Sequence, residues 1–280
     1  MKGTTSTLIR IGWRSLQTTV ASYGFGAMAY VFLLLWLYPS VAHAPGITRL
    51  LQTLPKSLIT ATGVAAGLGS PLAYLTSEFY GLLYLWILMI FTVVGVVRLL
   101  AQGPARGSAG SWLAGPVSRV QWVLSQGCVF MLGLFLTDLS VTLAIPIAMA
   151  IWEPQQAITF GILLRLNGMG FLLFSALAGI IALCSAGFND DQRALSVGAS
   201  IIMLEYVLSL ISGLAPRLAW MRHLSLFSLY RPTAIVTGHQ HSWWPALVLI
   251  LAAGVFWGGA AWLFQRRDLG VSVALERKWQ

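Results

Sequence analysis

Charge is what this sequence has least of. Of its 280 residues, 9% are Asp, Glu, Lys or Arg, against about 25% in an ordinary soluble domain. So few charges cannot clothe a water-soluble fold of this size. With 58% hydrophobic residues and a mean hydropathy of +0.79, the natural solvent is lipid. Lysine is scarcest, at three: Lys2, Lys56 and Lys278. A phosphate-cradling P-loop needs G-x-x-x-x-G-K-[ST], and none of these lysines has the glycines before it. If ATP drives this protein, another polypeptide hydrolyses it. The two cysteines, Cys128 and Cys184, lie in apolar stretches and read as buried free thiols, which excludes a disulfide framework. No Ser-His-Asp set, paired catalytic carboxylates or zinc pattern is present. His239-Gln-His241 offers two metal ligands one residue apart, too few to complete a site. The chain therefore reads as a non-enzyme that binds no cofactor or metal of its own. The N-terminus also lacks the short apolar core and small-residue cleavage site of a removed signal peptide.

What is there is long and apolar. A helix needs about 20 apolar residues to cross a hydrocarbon core about 30 Å thick. Six stretches qualify: Tyr23 to Tyr38, Phe79 to Leu100, Gly127 to Ile151, Phe160 to Cys184, Leu195 to Ile211, and Trp244 to Phe264. They are apolar all round rather than alternating, so they read as helices. The net charge of +9 comes from basic residues set singly at the edges of these runs. That pattern sets membrane topology and does not make a nucleic-acid surface. With the N-terminus inside, eleven Lys and Arg fall on the cytoplasmic side, five outside (Arg49, Lys56, Arg217, Arg222 and Arg231), and Arg165 within a span. Both termini are expected in the cytoplasm.

Residues 6–20 place Ile9, Gly12, Trp13, Leu16 and Val20 on one helical face, with Arg10, Arg14 and Gln17 on another. This predicts an amphipathic helix lying in the cytoplasmic interface ahead of the first span, against lipid headgroups. A slightly long first span with a basic flank is the other reading. The external segment 39–78 holds Ile47, Leu50, Leu51 and Leu54 at helical spacing, then a glycine-rich loop. The segment 213–243 mixes basic residues with Trp220, Phe227, Tyr230, Trp243 and Trp244, like an outer-leaflet belt folded partly back into the membrane. Asn189 to Arg193 reads as a plain cytoplasmic turn, and Pro146 invites a kink in the third span.

The cytoplasmic loop 101–119 is rich in small residues and carries one aromatic-aliphatic pair, Trp112 and Leu113, before Pro116-Val-Ser-Arg119. With its flanks it resembles the coupling-helix segment of type-2 ABC exporter permeases. Tyr38-Pro-Ser, Leu54-Pro-Lys and Ser70-Pro-Leu-Ala-Tyr resemble the first external segment of that family. Leu224 to Pro232 resembles its last, and Phe264-Gln-Arg-Arg-Asp-Leu269 its terminal Phe-x-x-Arg-Asp-Leu signature. The matches come in the family's order and cover nearly the whole chain. The resemblance implies one permease domain over residues 1–280, in the cell membrane. It also implies a second permease copy or a related permease, and an ABC ATPase subunit holding ATP and Mg. Arg106, Gly107, Trp112, Leu113, Pro116 and Arg119 would couple to that ATPase. There is one departure: the acidic residues usual before the coupling helix are replaced by Gln102, Gly103 and Pro104, and Arg106 adds positive charge.

Three charges fall inside spans. Asp138 is near the middle of the third, Glu205 in the outer half of the fifth at similar depth, and Arg165 enters the fourth from outside. A charge at membrane depth costs at least about 2.5 to 3.5 kcal/mol, so these should face protein or water. They either line a translocation path, with a proton-coupled secondary transporter as the alternative function, or are satisfied between helices by Arg165 or a hydroxyl. The expected fold is thus an all-α integral membrane protein. It has six transmembrane helices, an N-terminal interfacial helix and a cytoplasmic coupling helix between spans 2 and 3.

Overall fold

The computed structural model describes residues 2–42, 70–100, 118–153, 158–188, 190–214, 216–238 and 243–266. These form an all-α bundle without a strand among the described residues. Six helices are long and apolar enough to cross a membrane: Thr5–Val41, Pro71–Leu100, Arg119–Trp152, Phe160–Gly187, Gln192–Gly213 and Trp243–Arg266. The chain is a multi-pass membrane protein. We label the helices α1 (Lys2–Ala42), α2 (Pro71–Leu100), α3 (Arg119–Trp152), α4 (Phe160–Gly187), α5 (Asp191–Leu214), a short α6 (Pro232–Val236) and α7 (Trp243–Arg266).

The expected break between an interfacial helix and the first span is absent. α1 is one helix of 41 residues, about 60 Å long at 1.5 Å per residue, roughly twice the hydrocarbon thickness. Packing against α3 keeps its N-terminal half in line with the rest. Gln126 donates from Nε2 to the Leu8 carbonyl at 3.4 Å. The side chains of Leu16 and Val20 sit so close to Gly133 that a Cβ there would meet each at 2.9 Å. Further along, Ser140 donates to the Gly24 carbonyl at 3.3 Å. These pairings advance together along both helices, so α1 and α3 run parallel.

α2 starts earlier than the hydropathy suggested. Ser70 accepts from the Ala73 N–H at 3.2 Å and Pro71 opens the first turn, the arrangement that favours Pro where no amide donor is needed. Leu75 to Leu83 then widens to a π-helix, closing with the Tyr84 N–H on the Phe79 carbonyl. Such wide turns change which side chains face the neighbours and cluster at functional positions. α3 likewise starts at Arg119 rather than near Gly127. Its Ser118 accepts from the Gln121 N–H and Gln121 Oε1 accepts from the Ser118 N–H, both at 3.2 Å, a capping box. Asp190 accepts from the Gln192 N–H at 2.9 Å at the head of α5 and pairs with Arg193 at 3.6 Å on the surface.

α4 is the most enclosed span, with 72% of its apolar window buried against 22% for α5 and 28% for α7. α5 and α7 therefore turn most of their apolar surface outward, as lipid-facing helices do. α7 packs along α4 and also reaches α3. Trp257 fills the notch made by Gly127 and Gly179 and donates from Nε1 to the Ser175 carbonyl at 3.1 Å. Both cysteines are free, but Cys128 is exposed on the bundle's outside and Cys184 is half-buried, so neither is the buried thiol expected.

Candidate functional site: a buried carboxyl among tyrosines

The most polar part of the interior is built from α2, α3, α4 and the segment after α5. Asp138 on α3 is only 4% exposed. Its Oδ1 accepts a hydrogen bond from the Tyr84 hydroxyl at 2.8 Å, while its Oδ2 is buried without a hydrogen-bond partner among the protein atoms. One turn earlier on α2, Tyr80 donates to Asn167 Oδ1 at 3.2 Å. Asn167 on α4 donates from Nδ2 to Thr142 Oγ1 at 2.7 Å, and Thr142 donates to the Asp138 carbonyl at 2.8 Å. Tyr80, Asn167 and Thr142 therefore form a chain of hydrogen bonds that ends on the Asp138 backbone carbonyl, while Tyr84 bonds the carboxyl itself. Gly170 on α4 makes room for it, because a Cβ there would collide with the Tyr84 hydroxyl.

The external segment closes the cluster. Tyr230 stacks on Tyr84 with ring centroids 6.1 Å apart and planes 30° from parallel. Its hydroxyl is buried and without a partner among the protein atoms. Burial raises this phenol well above its ordinary pKa, and the neighbouring Tyr80 and Asp138 raise it further, so it is neutral at physiological pH.

Local bonds fix the segment's shape. The Leu226 N–H donates to Glu205 Oε2 at 2.7 Å, and Ser225 Oγ donates to the Glu205 carbonyl at 2.6 Å. Ser228 Oγ donates to the Arg222 and Ser225 carbonyls at 2.6 and 2.7 Å. The two serines of Leu224-Ser-Leu-Phe-Ser-Leu-Tyr-Arg-Pro thus satisfy the backbone of a tight 3-10 turn, Leu226–Leu229, and Pro232 starts α6. Phe227, Tyr230 and Ile235 are buried. Phe227 meets Tyr206 of α5 and Phe174 of α4 edge to face. The segment does fold back onto the bundle.

The three intramembrane charges are not one constellation. Asp138 is held by a hydroxyl. Arg165 is exposed on α4, and the one ion pair among the described residues is Arg193 with Asp190. Glu205 is half-buried and binds the backbone of the external turn instead of joining Asp138. Sequence reasoning missed Tyr80, Tyr84, Thr142 and Asn167, and read Tyr230 only as part of an outer-leaflet belt. A signal was present: two tyrosines four apart in the second span, and an asparagine in the fourth, are polar tips in otherwise apolar runs.

Of the coupling residues, Arg119 is the first residue of α3. Arg106, Gly107, Trp112, Leu113 and Pro116 lie outside the described residues, as do Arg267, Asp268 and Leu269 of the terminal signature and the His239-Gln-His241 pair. No group of three metal-ligating side chains occurs among the described residues. The chain matches no protein-family model, and no curated protein is significantly similar to it.

Proposed function

We propose that this chain is the membrane-spanning permease of an ATP-driven ABC exporter, moving a substrate outward across the cell membrane. It works as two copies or beside a related permease, with a separate ATPase subunit that holds ATP and Mg. Both termini are cytoplasmic. One observation carries the reading: a six-span chain without a P-loop bears, in order, short segments that resemble those of one exporter family. The geometry supplies a supporting route for coupling. The capping box makes Arg119 the first residue of α3, so segment 101–117 leads straight onto that helix. α3 is clasped to α1 through Gln126, Gly133 and Ser140. A push on the loop around Trp112 and Leu113 would move α3 and α1 together. Coupling of this kind requires the ATPase to contact the loop differently in its two states. Trp112→Asp and Leu113→Asp should abolish substrate-stimulated ATPase activity in the complex while the helices stay folded. Unchanged stimulation and assembly would remove the loop from the account.

A proton-coupled secondary transporter is the second reading, and the buried, half-partnered carboxyl of Asp138 favours it. In that case Asp138→Asn abolishes transport, and transport follows a proton gradient without ATP. Glu205 fits this reading less well, because its carboxylate already serves the Leu226 backbone.

A further inference from the structure

From Tyr206 to Arg267 the sequence contains no Asp or Glu, yet the external segment within that stretch carries Arg217, Arg222 and Arg231. Two of these arginines are drawn together by the fold. Ser228 joins them: its hydroxyl donates to the Arg222 carbonyl at 2.6 Å, and its own carbonyl accepts from Arg231 Nε at 3.2 Å. Partial desolvation and then the nearby charge of Arg222 hold the Arg231 guanidinium below its ordinary pKa, though it stays protonated.

Nothing in the protein answers this charge. The one ion pair among the described residues is Arg193 with Asp190, on another part of the chain. Glu205 reaches the same turn but gives its carboxylate to the Leu226 N–H. Glu78 stands near Tyr30 and Tyr74, and Glu153 near Tyr38. A guanidinium has five N–H donors. Arg231 uses its Nε–H on Ser228, and its terminal nitrogens, like the whole fork of Arg222, have no partner among the described residues.

Position says which anion fits. Turn 226–229 is tied to Glu205, nine residues before the Leu214 end of α5, about 14 Å back along that helix. The arginines on either side of the turn therefore lie against the flank of the bundle, where an uncompensated charge is costly. Trp220 and Leu224, each 57% exposed, stand beside Arg222 and offer an apolar surface to acyl chains. Arginine forks bind phosphate oxygens in pairs, and basic pockets at a membrane surface take anionic headgroups.

We propose that Arg222 and Arg231 form a binding site for the phosphate of a membrane phospholipid, held with its acyl chains along Trp220 and Leu224. The phosphate relieves the repulsion between the two guanidiniums and pins segment 216–236 to its leaflet.

The test is native mass spectrometry of the purified full chain in mild detergent, titrated with phosphatidylglycerol, with diacylglycerol of the same chains, or with inorganic phosphate. Phosphatidylglycerol should bind best. Its affinity should fall about fivefold or more in Arg222→Gln and in Arg231→Gln, and stay unchanged in Arg165→Gln, an exposed arginine on α4. A photoreactive phosphatidylglycerol should label residues 216–236 of the unaltered chain, a readout that needs no variant to fold. Equal affinity in all three variants, diacylglycerol binding as tightly as phosphatidylglycerol, or labelling that spares 216–236 would overturn the proposal. Inorganic phosphate that displaces the lipid at equal concentration would also overturn it, assigning a free-anion site instead.

Discussion

Gly170 of α4 stands where any side chain would strike the hydroxyl of Tyr84, which is how Tyr84 reaches Asp138 at 2.8 Å. The contact ties three spans through one atom: α4 leaves the space, α2 fills it, and α3 supplies the acceptor.

Gly170→Ala should therefore push Tyr84 off the carboxyl. Overpacking of this kind costs about 1–3 kcal/mol, and the lost hydrogen bond to a buried acid adds to it. Because both changes remove the same bond, Gly170→Ala combined with Tyr84→Phe should destabilise by less than the sum of the two. Denaturant unfolding of the four proteins checks this, and strict additivity would show that the two residues act apart.

A second glycine separates close approach from ordinary helix propensity. A Cβ on Gly179 would meet Phe256 Cβ at 2.6 Å and the Trp257 amide at 3.3 Å, whereas a Cβ on Gly254 meets nothing within 4 Å. Gly179→Ala should part α4 from α7 and destabilise by about 1–3 kcal/mol. Gly254→Ala should be neutral or stabilising by up to about 1 kcal/mol, the helix advantage of Ala over Gly. Melting temperatures of the two variants measured side by side should differ in sign.

Glu205 holds the external turn by its carboxylate and its carbonyl together. Glu205→Ala should release the turn at Leu226 and cost about 0.5–2 kcal/mol, as loss of a helix cap does. Glu205→Gln, which keeps an acceptor oxygen, should cost less. Hydrogen exchange at residues 225–230 should rise in the alanine variant and stay near the original in the glutamine one. Equal exchange in both would mean the carboxylate is not the clasp.

The continuity of α1 can be tested by chemistry. In a chain carrying Cys128→Ser and Cys184→Ser, the pair Gly12→Cys and Gln126→Cys should cross-link with a short bifunctional reagent, because a Cβ on Gly12 would touch the Gln126 side chain. A helix splayed into the interface, away from α3, would leave the two cysteines unlinked.

Much of this was legible in the sequence, and the gaps have physical reasons. The spans announce themselves because a lipid-facing helix must be apolar all round, as Leu204 and Val255 are on α5 and α7. Their ends are less visible. Ser70-Pro71 and Ser118-x-x-Gln121 start α2 and α3 about eight residues before hydropathy alone would, because caps are written in hydroxyls and amides rather than in apolar residues. The amphipathic face of residues 6–20 was read correctly as a face, but not for what covers it. Leu16 packs on α3, and periodicity cannot distinguish a helix neighbour from a headgroup layer. Asp138 stood out as a rare charge, yet its partner was a tyrosine hydroxyl and not Arg165. Depth follows from counting along a helix, whereas azimuth depends on packing, and packing turned Arg165 outward. The π-helix that brings Tyr80 beside Asn167 has no sequence signal that we can name.

We propose that this six-span chain works as a permease driven by a separate ATPase. Gentle purification of the tagged full chain from its native membrane, followed by identification of stoichiometric partners and transport in vesicles, tests it most directly. The expected result is a co-purifying chain with a P-loop, transport that needs ATP, and loss of ATPase stimulation in Trp112→Asp. Purification without any such chain, together with transport that follows a proton gradient in the absence of ATP, would contradict it.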